Sequence, residues 1–540
     1  MKTITKKLIA VLVALTMVLI LAACGSKNND GEEGSVSASQ IGATADSTPS
    51  STNTDMFTER DLDPSYDSAE TIDLSKESGS KVTITKEGTY VLTGTYKGQV
   101  VVKVGDSDKV QLVLKNASIS NSDGAAIYVQ SGDKVFVTLA DGTTNSVSSG
   151  ASFSEADSET GDKVDGAIFS KATLVFNGTG TLNVTSDHGH GIVSKDDLKV
   201  TGGTLVIKAA EKGLAGKDSV RVHDGKLDIT AGDDAIHTSN DEEEGKGFIY
   251  IEGGDFTLSS GDDAIHAETD LTITGGVIDV KKSEEGLEGR NIDISGGVID
   301  IVASDDGINA AEGGSGKDNT DSFGGFGHGG GFADNQNATL TISGGTINVN
   351  AGGDGLDSNG SLVVSGGKTY VSGPTNGGNG AIDCDNASIS AGTVIAAGAV
   401  GMDINFGSDS TQCSMLVQFD SKVAGGTEVV LKDSSGNTLL SYTPKKDYQS
   451  VVLSSPDIKV GETYTVTAGN QSKTVEMTDT IYGTGNPMGG GGMGGQRPGG
   501  NQFGGQRSEG EQGGRGGFYG RPGNISEGSG DIDSQSSATL

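Results

Sequence analysis

Along the middle of the chain, apolar residues alternate with polar ones instead of recurring every three or four positions. Leu271 and Ile273 are followed by Val277, Ile278 and Val280, with Thr, Asp and Lys between them. A period of two predicts strands, and segments of helical length with a 3.6-residue period are absent. Gly-Gly pairs separate the strands, which β-branched residues fill. Aligned on those pairs, the chain repeats itself: DLKVTGGTLVIKAAEKGLAGK (197–217), DSVRVHDGKLDITAGDDAIHTS (218–239), TDLTITGGVIDVKKSEEGLEGR (269–290), NIDISGGVIDIVASDDGINAA (291–311) and NATLTISGGTINVNAGGDGLDSNG (337–360). Lys212 to Asp234 is 22 residues, Asp263 to Glu285 is 22, and Glu285 to Asp306 is 21. A fixed period of this size is the signature of a solenoid.

Short strands separated by turns make that solenoid a parallel β-helix with about 21–22 residues per coil, so the fold class is all-β. A leucine-rich horseshoe is the rival, but its Leu-x-x-Leu-x-Leu frame is missing. Leu214, Ile236, Ile265, Leu287, Ile308 and Leu356 occupy equal places in their coils and predict one internal aliphatic ladder. DGAAIYV (123–129) and DGAIFSKATLVFNGTGTLNV (165–184) extend the pattern upstream, giving a helix from about Ile72 to about Ala399. Two excursions interrupt it, Asp241–Gly247 and the glycine-rich Gly313–Gln336 with Phe323, Phe326, His328 and Phe332. Beyond Asp409, segments such as MLVQFDSK and YQSVVLSS predict a small C-terminal antiparallel β-module that closes the open end.

The ends carry different information. Lys2, Lys6 and Lys7 precede an apolar run from Leu8 to Ala22, and Leu21-Ala22-Ala23-Cys24 closes it. This is the pattern of a bacterial lipoprotein signal peptide over 1–23, with Cys24 as the lipidated N-terminus. Residues 24–58 are poor in large apolar groups and read as a disordered tether. Residues 483–540 read as a disordered Gly-rich tail. The β-helix domain then spans 59–408 and the β-module 409–482. The expected address is the extracellular face of the cell membrane, reached through the lipid anchor only.

Composition adds 88 glycines, no tryptophan, and 73 acidic against 38 basic residues, a net charge of −35. Such charge excludes nucleic acid and anionic membrane surfaces as partners and favours cations, or ligands reached through cations. After Cys24 only Cys384 and Cys413 remain, and a disulfide or two separate thiols are both open.

Stacking the coils gives the repeated phrase GDDAIH its meaning. One column reads Lys212, Asp234, Asp263, Glu285, Asp306, Asp354, and the column before it reads Glu211, Asp233, Asp262, Glu284, Asp305. Past the inward aliphatic comes His237, His266, Glu288, Asn309, Asp357. Carboxylates ~5 Å apart repel by roughly 1 kcal/mol even in water, so these columns call for counter-ions. Calcium suits them, taking six to eight oxygens in loose geometry. The candidate ligands are Asp233, Asp234, Asp262, Asp263, Glu284, Glu285, Asp305, Asp306, Asp354 and Asp357. His237 and His266 leave a transition-metal reading open, and solvated acidic turns that keep the surface soluble are the plain alternative.

The run from about Thr83 to Ala311, with its DGAI, GDDAIH and SGGVIDI phrases, and SYTPKKDYQSVVLSSPDIKVGETYTV near the C-terminus, resemble the bacterial carbohydrate-binding β-helix proteins. The resemblance implies a right-handed parallel β-helix akin to calcium-using polysaccharide lyases. It also implies binding of cellulose-like or acidic-sugar polymers with calcium bound along the helix. Tyr128 and Phe169, near the turn columns, are candidate sugar contacts, although a lone aromatic at such a place is more often packed. A calcium-dependent, pectate-type lyase is the alternative, with Lys212 as the candidate base because it replaces an acid in the main column. A structural adhesin or cell-surface stalk is the third reading.

Overall fold

The computed structural model describes residues 56–150, 152–153, 161, 163–311 and 338–485. Among them the alternating residues form short strands in parallel register, and the apolar positions become vertical files. One file runs Val82, Val100, Ile127, Ile168, Ile192, Leu214, Ile236, Ile265, Leu287, Ile308, Leu356, Ile382, each paired with the next. These are twelve rungs of a parallel β-solenoid, and the six expected from the repeats lie within it. From Val100 onward every member is buried. Each such side chain contributes about 1.5–3 kcal/mol relative to exposure.

One coil shows the plan. Ile236–Thr238 forms the first face, Phe248–Ile251 the second and Asp255–Ser259 the third. The Gly-Gly pairs make the corner between the second and third faces. Their second glycine sits in the left-handed region, at φ +91° for Gly276 and +88° for Gly297, where a side chain is strained. Their first glycine lies against the coil beneath: a Cβ on Gly296 would stand 2.1 Å from the Thr274 carbonyl oxygen. The acidic phrase makes the corner between the third face and the first face of the next coil.

A strap crosses the second face. The one-turn helix Glu59–Leu62 is capped by Thr58, whose hydroxyl accepts from the Asp61 N–H while the Asp61 carboxylate accepts from the Thr58 N–H, a capping box. Asp61 is fully buried and paired with Lys134 at 2.7 Å and Lys199 at 3.1 Å. Burial works to raise its pKa, and the two lysines together with the Thr58 N–H overcome it, holding it low. Phe57 packs against His223 and Tyr250, and the Arg60 guanidinium lies over Phe136. Met56 and Phe57, near the end of the stretch read as tether, are therefore held against several coils.

At the other end the stack changes hand of pairing. The last long strand, Ile382–Gly398, pairs antiparallel with Tyr448–Ser454, which pairs antiparallel with Ser414–Val423. A separate four-stranded antiparallel sheet follows, ordered Thr438–Tyr442, Val429–Lys432, Thr463–Ala468, Gln471–Glu476. Together they form the expected antiparallel module and cover a solenoid edge that would otherwise template association. Cys384 and Cys413 are both free thiols. No helix of the described residues is long and apolar enough to cross a membrane. The signal segment, Cys24, the tether up to residue 55, the Gly313–Gln336 excursion and the tail beyond residue 485 lie outside the described residues.

Candidate cation and ligand site

The corner acids are positioned by the inward ladder. The second acid of each phrase lies two residues before the rung, and the residue after the rung points outward again. The file after the rungs reads Ala215, His237, His266, Glu288, Asn309, Asp357, Asp383, each residue paired with the next. The inner acids tie one coil to the next through their side chains: the Asp234 carboxylate accepts from the N–H of Asp263 at 3.1 Å, Asp306 from that of Asp354 at 2.6 Å, and Asp354 from that of Gly380. Of the outer acids, Asp262, Glu284 and Asp305 follow one another through backbone hydrogen bonds, and the Asp233 carbonyl accepts from the N–H of Gly261, beside Asp262. Asp234 and Asp263 are buried; Asp233, Glu285, Asp306, Asp354 and Asp357 are half-buried; Asp262, Glu284 and Asp305 are exposed.

The corner divides into two chemically different halves. In the first, the protein supplies its own cations. The Lys212 ammonium bonds to Asp234 and lies 3.2 Å from Asp233, and His237 Nδ1 is 2.8 Å from Asp234. Burial works to raise the Asp234 pKa, yet His237 and Lys212 hold it well below the usual carboxylate range. One coil on, His266 Nδ1 is 2.8 Å from Glu288 and 3.1 Å from Asp263. Burial opposes protonation of His266, but the two carboxylates prevail and push its pKa up to about 10.

In the second half no basic side chain of the described residues stands against the acids. Asp306, Asp354 and Asp357 bring carboxylate oxygens within 4.8 Å of one another, and Asp383 stacks beyond Asp357. Burial, followed by repulsion from the neighbouring acids, raises Asp357 to about 8. Burial also raises Asp354 to about 7, outweighing the hydrogen bond from Gly380, with Asp306 and Asp383 adding to it. Asp306 and Asp383 are raised for the same first reason. Glu285, which accepts from Asn309 Nδ2 at 3.0 Å, is raised to about 8, burial again coming first. The other end of that amide, Asn309 Oδ1, is a buried oxygen with no hydrogen-bond donor among the described residues, and its neighbour in the file is Asp357. Several carboxylates and an orphaned amide oxygen fit a hard cation such as calcium, whose ligands are carboxylates and neutral carbonyls.

Two readings change. Tyr128 and Phe169 are not available to a sugar: both are buried, edge to face at 5.8 Å, among Ala125, Val164 and Val193. They stand at the start of the outward file, where it is apolar and packed. Asp383 was missed, although GAIDCD at 380–385 repeats the GDDAIH frame with glycine in place of the corner acid.

Comparison with known proteins bears out the resemblance. Residues 78–318 match the family described as "Carbohydrate-binding domain-containing protein". A protein of that description from Acetivibrio thermocellus is 37% identical over 142 residues, which are 26% of this chain and 49% of the relative. The chain thus spans about half the length of the curated relative it matches. A solved structure, the polysaccharide lyase-like protein from C. thermocellum in a gadolinium derivative, is 34% identical with a TM-score of 0.37, covering 38% of this chain and 88% of that one.

Proposed function

From the likeness of residues 78–318 to the carbohydrate-binding domain family, we propose that this protein is a surface-anchored, calcium-binding solenoid that recognises extended polysaccharides bearing carboxylates. The observation that carries this reading is the cluster Asp306, Asp354, Asp357 with Asn309 beside it. Charge of one sign, partly desolvated and facing no basic side chain of the described residues, is costly until a cation arrives. Asp306, Asp354, Asp357 and Asn309 would hold the ion, with Glu285 and Asp383 adding negative charge. Bound calcium would neutralise these acids and, with its high coordination number, leave positions for a sugar carboxylate.

The remaining work belongs to the chain itself. Twelve stacked coils at ~4.8 Å each present a straight face about 50 Å long, matched to a polymer rather than to a small ligand. The half-buried setting excludes part of the water that would screen the ion from its ligand. Lipidation at Cys24, with the tether that follows it, would hold this face away from the membrane. The lyase alternative requires Lys212 to surrender its proton. Burial favours that, but Asp234 and Asp233 overcome it and raise the lysine pKa, so Lys212 acts as an ion-pair partner.

Pull-down of the purified protein on insoluble pectate and on cellulose, with calcium and with chelator, tests the reading. Retention on pectate that chelator abolishes, and that a variant carrying Asp306→Asn, Asp354→Asn and Asp357→Asn lacks, is expected. Retention indifferent to chelator contradicts it. Following unsaturated products by absorbance in the same mixtures tests the lyase alternative.

A further inference from the structure

We infer that the corner carries a second cation site of different chemistry, a site for a borderline divalent ion such as zinc, centred on His266 with Asp263, Glu288 and His237 around it. The observation is the juxtaposition of two imidazoles and two carboxylates on adjacent coils. His237 and His266 pair directly in the parallel register, their ring centroids 4.9 Å apart. The ligand atoms of Asp263, His266 and Glu288 all lie within 4.8 Å of one another, as do those of Asp234, His237 and His266. His266 belongs to both sets.

Charge favours the first set. Lys212 already neutralises Asp234 and lies 3.4 Å from His237 Nδ1. Asp263 and Glu288 share a single imidazole, so an imidazolium there leaves one negative charge uncompensated. A dication with a neutral imidazole cancels both carboxylates. Zinc binds imidazole nitrogen and carboxylate oxygen at about 2.0–2.2 Å, which sets neighbouring ligand atoms about 3.4 Å apart in a tetrahedron. Asp263 and Glu288 oxygens already stand 3.1 and 2.8 Å from His266 Nδ1. Nitrogen donors also separate this site from the oxygen-only cluster further along the file, because calcium takes oxygen ligands while imidazole suits zinc. Both ions then occupy one corner without competing.

Equilibrium dialysis of the untagged, chelator-stripped protein against zinc in the presence of saturating calcium tests the assignment. One equivalent of zinc retained beside calcium is expected. It should be lost in His266→Ala, weakened about tenfold, ~1.4 kcal/mol, in His237→Ala and unchanged in Asp357→Asn. Cobalt in place of zinc should give visible absorption that His266→Ala removes. Circular dichroism of each variant reports that it is folded, and Glu288→Gln replaces His266→Ala if the latter does not fold. Zinc that excess calcium displaces, or uptake equal in wild type, His266→Ala and Glu288→Gln, overturns the inference.

Discussion

Replacing Asp357 by Asn should reverse its effect on stability according to whether calcium is present. Asp357 has an ordinary pKa of 3.8 and is pushed up to about 8 by burial and by Asp306, Asp354 and Asp383. Above its unfolded pKa the unfolded chain has released this proton, while the folded chain keeps it until about pH 8. Stability without calcium therefore falls as pH rises through that window, and the loss is complete above it. At pH 7 about three of the roughly four units between the two pKa values have been crossed, ~1.4 kcal/mol each, an upper limit of about 4 kcal/mol. Residual solvent contact of the half-buried side chain lowers this to ~2 kcal/mol. A neutral carboxamide of the same shape avoids the cost. In chelator, Asp357→Asn should thus be the more stable protein, by a margin that grows from pH 5 to pH 8. With calcium at about 100 times its dissociation constant the wild type gains about 2.7 kcal/mol, and the variant, one ligand short, gains less. Urea unfolding followed by circular dichroism, with and without calcium, gives the four midpoints. A wild type indifferent to calcium, together with a variant less stable than wild type in chelator at every pH, would refute the reasoning.

Other parts of the molecule give sharper single outcomes. Asp61→Ala strands the ammonium groups of Lys134 and Lys199 against the second face and should cost about 3–5 kcal/mol, read as a lowered urea midpoint. Ile265→Ala empties one rung between Ile236 and Leu287, both fully buried, and should cost about 2–5 kcal/mol in the same assay. Lys212→Gln removes the cation from Asp234 and Asp233, so it should lower the melting temperature while leaving pectate retention in calcium intact. Retention lost with stability unchanged would give Lys212 a direct role in ligand binding.

The fold was legible because its repeat is written in residues with few alternatives. The double glycines mark corners where the coil beneath approaches within contact distance, and the aliphatic two residues past each second acid fixes the register. GDDAIH, EEGLEG and DDGINA could therefore be stacked from the sequence alone, and Ile236, Ile265, Leu287 and Ile308 do stack. The division of the corner was harder to see. Columns of type show that Lys212 and Asp234 are neighbours, but not that His266 turns Nδ1 toward Asp263 and Glu288 while Asp306, Asp354 and Asp357 bring their carboxylates together. Asp383 escaped because its coil lacks the corner acid, leaving only Gly-Ala-Ile to mark the frame. The strap was invisible for another reason. MFTERDL at 56–62 has no repeat to align with, and its buried Asp61 is partnered by Lys134 and Lys199, 73 and 138 residues away.

Isothermal titration of calcium into the chelator-stripped protein, beside the variant carrying Asp306→Asn, Asp354→Asn and Asp357→Asn, decides whether the acidic corner holds the ion. Saturable uptake by the wild type, lost in the folded variant, is expected. No uptake by the wild type, or equal uptake by both proteins, would contradict it.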